Sequence, residues 1–161
     1  MGDFTGTGSN DVLVGTDGND NLYGLGGADF LKGLFGDDYI DGGPGSDRAT
    51  YYLTNSQFGG VTVSLMLQGQ PQDTGAQGWD TLVNIENLSG TPFSDTLTGD
   101  NGDNWLWGSP ATLGDGSISS LNNDFLYGMG GNDLLVVGIG NHTIDGGDDT
   151  DTLRFTENGS P

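Results

Sequence analysis

Apolar side chains recur along this chain at intervals of nine, a spacing that belongs to neither a helix nor a single long strand. Leu13, Leu22, Leu31, Ile40 and Ala49 share one register, which lapses and then returns with Leu97, Leu106, Leu126, Leu135, Ile144 and Leu153. Ten of these eleven positions are Leu or Ile, in a chain that is only 32% hydrophobic. Their neighbours are rich in Val, Phe, Tyr, Trp and Thr, which suits a short strand with one side chain inward and those before and after it outward. Glycines open most units, as at Gly6, Gly15, Gly24, Gly33, Gly42, Gly90, Gly99, Gly128 and Gly146, and recur at many fourth places. Turn and strand therefore alternate every nine residues, and two units make one coil of a flattened solenoid whose strands stack in parallel 18 residues apart. The predicted fold is all-β: a right-handed parallel β-roll in two blocks, interrupted by a β-hairpin-like insertion.

The blocks are set at 6–50 and 90–154, with leader residues 1–5 before them and a tail at 155–161. Residues 51–89 carry a different pattern. Val61, Val63, Leu65 and Leu67 alternate with polar neighbours and predict a half-buried strand. A polar loop from Gly69 to Gly78 follows, and then Leu82, Ile85 and Leu88 recur without a clean period. A second insertion, near 108–119, lengthens one turn.

The adjacent units Gly24–Lys32, "GLGGADFLK", and Gly33–Asp41, "GLFGDDYID", have glycine first and fourth, aspartate sixth and a large aliphatic eighth. This arrangement resembles the hemolysin-type calcium-binding repeat of RTX proteins, over residues 6–50 and less regularly over 90–154. Aspartate fills the sixth place at Asp11, Asp20, Asp29, Asp38, Asp47, Asp95, Asp124, Asp133 and Asp151, with Asn104 and His142 substituting in two units. Stacked turns set like charges at roughly 4.8 Å, so a cation between them reverses the sign of the interaction. Calcium suits such a place, because it accepts six to eight oxygens, carbonyls included, in loose geometry. The resemblance implies that each ion is shared between the sixth-place side chains and carbonyls of the glycine-rich turns, here Gly24, Gly26, Gly33 and Gly42. Parity puts Asp11, Asp29 and Asp47 on one edge and Asp20 and Asp38 on the other. In the second block Asp95, Asp124 and His142 share an edge, opposite Asn104, Asp133 and Asp151. Asn104 still offers a carbonyl oxygen and predicts a weakened site; His142 predicts a turn that binds no ion. The additional turn acids Asp17, Asp37, Asp100, Asp148 and Asp149 are expected to be solvated rather than ligating.

Composition strengthens the need for a cation. Of 161 residues, 32 are Gly and 23 Asp or Glu against 3 Lys or Arg, for a formal charge of −20. Self-repulsion and glycine entropy put the bare chain near the disordered class. With no cysteine, neither disulfides nor a thiolate metal site can staple it. Lys32, Arg48 and Arg154 cannot assemble a basic patch, which excludes nucleic acid and anionic lipid as partners. No apolar run is long enough to span a membrane, and no signal segment opens the sequence, so either the chain stays inside or its address is expected elsewhere in a longer parent.

Outward positions form ladders in a solenoid, and Trp105, Trp107, Leu134 and Val136 are expected as neighbours on one outer sheet, with Phe125 and Tyr127 on the other. Such a patch is either covered by another segment or offered to a partner. His142, the only histidine, has no recognisable nucleophile beside it, so no enzyme is expected. The reading is a non-catalytic, calcium-dependent structural or secretion-supporting segment of a larger extracellular bacterial protein. The resemblance adds export by a type I system. The alternative is a carbohydrate-targeting accessory module that stacks a neutral glycan on the tryptophans, and a more distant one is ice binding by Thr and Asn ladders.

Overall fold

The computed structural model describes residues 1–53, 59–108 and 122–156. Sixteen strands, β1 to β16 in chain order, and no α-helix are found among them. One face is an unbroken sheet of β2 (Val12–Val14), β4 (Phe30–Lys32), β6 (Arg48–Thr50), β10 (Asn87–Ser89), β12 (Trp105–Trp107), β14 (Leu134–Val137) and β16 (Thr152–Phe155). The other face is divided. Its first sheet stacks β1 (Asp3–Thr5), β3 (Asn21–Tyr23), β5 (Tyr39–Asp41) and β9 (Trp79–Val83), and ends on β8 (Pro71–Asp73). Its second stacks β7 (Thr62–Ser64), β11 (Thr96–Thr98), β13 (Phe125–Tyr127) and β15 (Thr143–Asp145). Odd and even units thus fall on opposite faces, as the parity of the repeat requires, and this is a parallel β-roll.

Register follows the nine-residue unit. Phe30 lies opposite Arg48, Asn21 opposite Tyr39 and Trp105 opposite Leu134, so each eighth residue sits above another. Leu22, Leu31, Ala49, Leu97, Leu106 and Leu126 are wholly buried in one cluster. Most of the central strands bury one aliphatic side chain at the eighth place, which makes a core one aliphatic layer thick, and its ends are less covered: Leu13 and Ile144 only pack against it, and Leu153 is 45% exposed.

The interruption affects one face only. Strands β9 and β10 remain in the solenoid, with Leu82 opposite Ile40 and Leu88 between Ala49 and Leu106. Leu82, Ile85 and Leu88, which showed no period, are all fully buried. The strand expected over Val61 to Leu67 stops at Ser64, whose hydroxyl accepts the Met66 N–H at 3.2 Å and starts a 3-10 turn over Leu65–Leu67. Leu65 turns into the core and Leu67 out to solvent. The polar stretch Gly69 to Gly78, expected as a loop, contains β8, which pairs antiparallel with β9 as the hairpin. The backbone of β8 is not paired with β7; Gln72 bridges the two, accepting the Ser64 N–H at 2.7 Å and donating to the Ser64 carbonyl at 3.1 Å.

Residues 1–5, expected as a leader, supply β1, which pairs with β3 and packs Phe4 against the core. Apart from Gly108, the described residues do not include the turn insertion expected near 108–119, nor the tail beyond Thr156.

Leu97 and Leu153 occupy the same place in the repeat but not in the core. In urea titrations of the calcium-loaded protein, Leu97→Ala should cost about 2–5 kcal/mol, the range for a fully buried Leu, and Leu153→Ala less than about 1 kcal/mol.

Candidate calcium-binding edges

A sixth residue precedes each strand by one position, so its side chain lies at the mouth of the roll, where one coil passes to the next. There it does something that spacing alone did not show. In most of these turns one oxygen of the side chain accepts the backbone N–H of the sixth residue one coil earlier. On one edge Asp11 donates to Asp29 Oδ1 at 2.8 Å, Asp29 to Asp47 Oδ1 at 2.7 Å and Asp133 to Asp151 Oδ1 at 3.0 Å. On the other, Asp20 donates to Asp38 Oδ1 at 2.9 Å and Asp95 to Asp124 Oδ1 at 3.1 Å. The aspartates are therefore part of the backbone ladder, satisfying N–H groups that the strands leave over.

Two rungs escaped the sequence reading. Asp38 donates to Asp80 Oδ1 at 3.0 Å, and Asp47 to Glu86 Oε2 at 2.8 Å. Asp80 and Glu86 lie six residues apart because the turn between them is cut to Asn84 and Ile85, which breaks the nine-residue count. The surviving signal is an acid two residues ahead of a leucine, in Asp80-Thr81-Leu82 and Glu86-Asn87-Leu88.

The second carboxylate oxygen is free in several turns. Oδ2 of Asp29, Asp38, Asp47 and Asp133 has no hydrogen-bond partner, although these residues are only 0–3% exposed. An unpaired oxygen of a buried carboxylate is costly, and the cost is removed by a cation. Backbone carbonyls converge on the same places. A Cβ built on Gly24 would lie 2.5 Å from the Gly42 carbonyl oxygen and closer still to Asp29 Oδ2. Gly128 is likewise hemmed by Asp133 Oδ2 and the Gly146 carbonyl, and Gly42 by Asp47 Oδ2 at 2.6 Å and the Asn84 carbonyl. First-place glycine thus leaves a space bounded by a carboxylate of its own turn and a carbonyl of the next coil. Among the described residues no group of three or more Asp, Glu or His side chains could hold a metal, so a bound ion would depend on these carbonyls. That donor set, hard oxygens with few charges, fits calcium.

Of the glycines assigned as carbonyl donors, Gly24 and Gly33 present their oxygens to Gly6 and Gly15, and Gly42 to Gly24. Gly26 donates its N–H to the Thr7 carbonyl at 3.1 Å. The Asn104 carbonyl oxygen accepts the Asp100 N–H at 2.7 Å, and its amide nitrogen donates to the Glu86 carbonyl and to Asp100 Oδ1. His142 takes an aspartate's part in the ladder, its Nδ1 accepting the Asp124 N–H at 3.1 Å. Asp37 and Asp100 are not merely solvated, since Asp37 accepts the Trp79 N–H and Asp100 the Gly102 N–H.

The outer ladder of the unbroken sheet places Trp105 beside Leu134 and Trp107 beside Val136. The two indoles stack 6.2 Å apart, and the Arg48 guanidinium lies 4.1 Å from the Trp105 ring centre. Val136 is buried, and Trp105, Trp107 and Leu134 are half-buried.

Burial dominates the electrostatics. It pushes the Asp38 carboxyl up to about 6, Asp80 to about 7 and Asp95 to about 8, with neighbouring aspartates adding to each rise. Asp47, Asp133 and Glu86 are raised by the same cause. Burial pulls Asp20 upward too, but hydrogen bonds from Thr16 and Gly2 and the charge of the terminal amine outweigh it and hold that carboxyl low.

A parallel roll whose edges present buried, half-satisfied carboxylates and converging carbonyls is a calcium-binding solenoid. The chain matches the family model of the RTX calcium-binding nonapeptide repeat in four copies, over residues 5–38, 14–49, 85–110 and 119–153, and belongs to that family. Its repeats are therefore calcium-binding structural repeats, of a kind typical of secreted bacterial proteins. No curated protein matches the chain.

Two outcomes follow from the crowded, desolvated edges. Gly24→Ala should cost about 2 kcal/mol or more, within the range for forced overpacking, whereas Gly18→Ala, with nothing within 4 Å of its Cβ, should stay within about 0.5 kcal/mol; urea titration in calcium compares them. The second concerns pH. Carboxyls raised in the folded state favour folding in their protonated form, fully below the ordinary value of 3.8, and that contribution is lost as pH rises through about 6 to 8. The metal-free chain should gain β signal in circular dichroism on acidification from pH 8 to pH 5, and calcium affinity should fall over the same range as protons compete.

Proposed function

We propose that this chain is a non-catalytic module that folds on binding calcium outside the cell and serves as a structural or secretion-supporting segment of a larger extracellular bacterial protein. The observation that carries it is the set of unpaired Oδ2 atoms on Asp29, Asp38, Asp47 and Asp133, each buried and each beside a glycine-lined space. Bound there, calcium supplies charge neutralisation and a bridge between successive coils. The protein supplies the rest. Its strands fix the turns at one spacing, its first-place glycines keep the space open, and its ladder of N–H groups holds these four carboxylates by Oδ1 so that Oδ2 faces the gap.

The charge balance supports the same reading. A chain with a formal charge of −20 and a core one leucine deep has little to hold it together until its carboxylates are neutralised. Extracellular calcium modules bind with Kd values on the order of 10⁻⁴ to 10⁻³ M, above cytosolic calcium, so the polypeptide stays unfolded before export by a type I system and folds after it. A non-catalytic role agrees with the surroundings of the only histidine, whose Nδ1 is engaged by the Asp124 N–H.

Circular dichroism decides the matter. The chain should give a coil-like spectrum in chelator at neutral pH and a β spectrum in millimolar calcium, with magnesium a poor substitute. A fully folded metal-free chain at neutral pH would overturn the proposal.

A further inference from the structure

Nine turns with Asp or Asn at the sixth place can be compared place by place, and they adopt two conformations. In the turns of Asp29, Asp38, Asp47, Asp133 and Asp151 the second residue is left-handed, with φ of 76° at Leu25, 82° at Leu34, Gly43 and Met129, and 95° at Gly147. In the first four of these the Oδ2 of the sixth residue is the unpaired atom described above. In the turns of Asp11, Asp20, Asp95 and Asn104 the second residue is Thr7, Thr16, Thr91 or Asp100, none of them left-handed. Its N–H donates to the sixth side chain instead, at 2.5, 2.6, 2.8 and 2.7 Å in that order. The threonine hydroxyls add a second bond to the same carboxylate, at 2.8 Å to Asp11, 2.7 Å to Asp20 and 2.8 Å to Asp95.

The first-place glycine and the carbonyl of the next coil are common to both classes. Gly15, in a threonine turn, faces Asp20 Oδ2 and the Gly33 carbonyl just as Gly24 faces Asp29 Oδ2 and the Gly42 carbonyl. The backbone of the turn separates them: the second residue is left-handed in every open turn and in no closed one, and the fourth is left-handed as well at Gly27, Gly36 and Gly131. A β-branched threonine is poorly suited to positive φ, whereas the open turns accept that conformation even at Leu25, Leu34 and Met129. Left-handed backbone at a non-glycine residue is itself unfavourable, and here it also leaves a buried oxygen unpaired. Two costs at one place point to a ligand that offsets both.

We propose that calcium is taken by the open turns of Asp29, Asp38, Asp47 and Asp133, and that Thr7, Thr16 and Thr91, with the amide of Asn104, stand in the ion's place in the closed ones. In the closed turns N–H and O–H donors do for the carboxylate what the cation does elsewhere, and at Asn104 an uncharged side chain donates to Asp100 Oδ1 and the Glu86 carbonyl. The closed threonine turns lie in the first coil, at Asp11 and Asp20, and at Asp95, next to the hairpin.

The assignment rests on the calcium reading, and the test separates the two. By equilibrium dialysis, Leu34→Thr should lower the number of calcium ions bound per chain by one while keeping the β spectrum in calcium. Thr16→Gly, on an exposed turn, should raise it by one. Should a variant fail to fold, anomalous scattering from wild-type crystals grown in calcium gives the same answer, with ions expected at Asp29, Asp38, Asp47 and Asp133 and none at Asp11, Asp20 or Asp95. Ions at Asp20 or Asp95, or unchanged stoichiometry in both folded variants, would overturn the assignment while leaving the calcium module intact. A wild-type chain that binds no calcium overturns the proposed function and this assignment with it.

Discussion

Each edge of the roll stacks acidic side chains one strand spacing apart, and every other feature is arranged around them. The spacing is fixed by the parallel ladder at roughly 4.8 Å, so the side chains cannot separate without unpairing strands. They cannot simply swing into solvent either, because one oxygen of Asp29, Asp38, Asp47 and Asp151 is held by an N–H of the preceding coil. Like charges are thus confined where water is scarce, and burial raises the protonation equilibria of Asp38, Asp80 and Asp95 accordingly. In an ordinary domain such rows would be opposed by a large core. Here the interior is a single file of leucines per face, and a shared cation is the economical remedy.

The hairpin shows how a repeat structure takes an insertion without ending. The unbroken seven-stranded sheet passes it by, while the facing side is parted into five- and four-stranded sheets. Three glutamine side chains close the seam with amide groups that imitate backbone. Gln72 pairs with Ser64, Gln68 donates to the Ile85 carbonyl and accepts its N–H, and Gln77 donates to the Tyr51 carbonyl. A primary amide carries one acceptor and two donors in the geometry of a peptide group, which is why it can extend a ladder sideways where no strand fits. The ladder of sixth residues resumes on the far side, with Val61 donating to Asp95 Oδ1 as Gly2 does to Asp20 Oδ1 at the start of the roll.

Much of this could be read from residue spacing because a solenoid makes sequence distance and spatial distance proportional. Leu22, Leu31 and Leu97 announced the core, and the alternation of Asp29 and Asp38 announced the two edges. Where a turn was shortened, the proportionality failed. Asp80 and Glu86 are separated by six residues instead of nine, and Glu86 replaces the usual aspartate, so two rungs looked like part of an insertion. The strand sought at Val61 to Leu67 failed for a local reason, since Ser64 caps a tight turn at its midpoint.

Taken by itself, the amino-acid sequence determined the unit: a glycine-opened turn, an acid at its sixth place, an aliphatic two residues later, and hence a parallel roll with acidic edges. Those are consequences of one-residue properties, namely backbone freedom, charge and side-chain shape, repeated at a constant interval. Only the folded chain decided how each carboxylate spends its two oxygens, which turns are left-handed, and that β9 and β10 belong to the roll. Those outcomes depend on what lies one coil above and below. A neighbour 18, 39 or 42 residues away is fixed by the stacking of strands and not by any pattern within the unit.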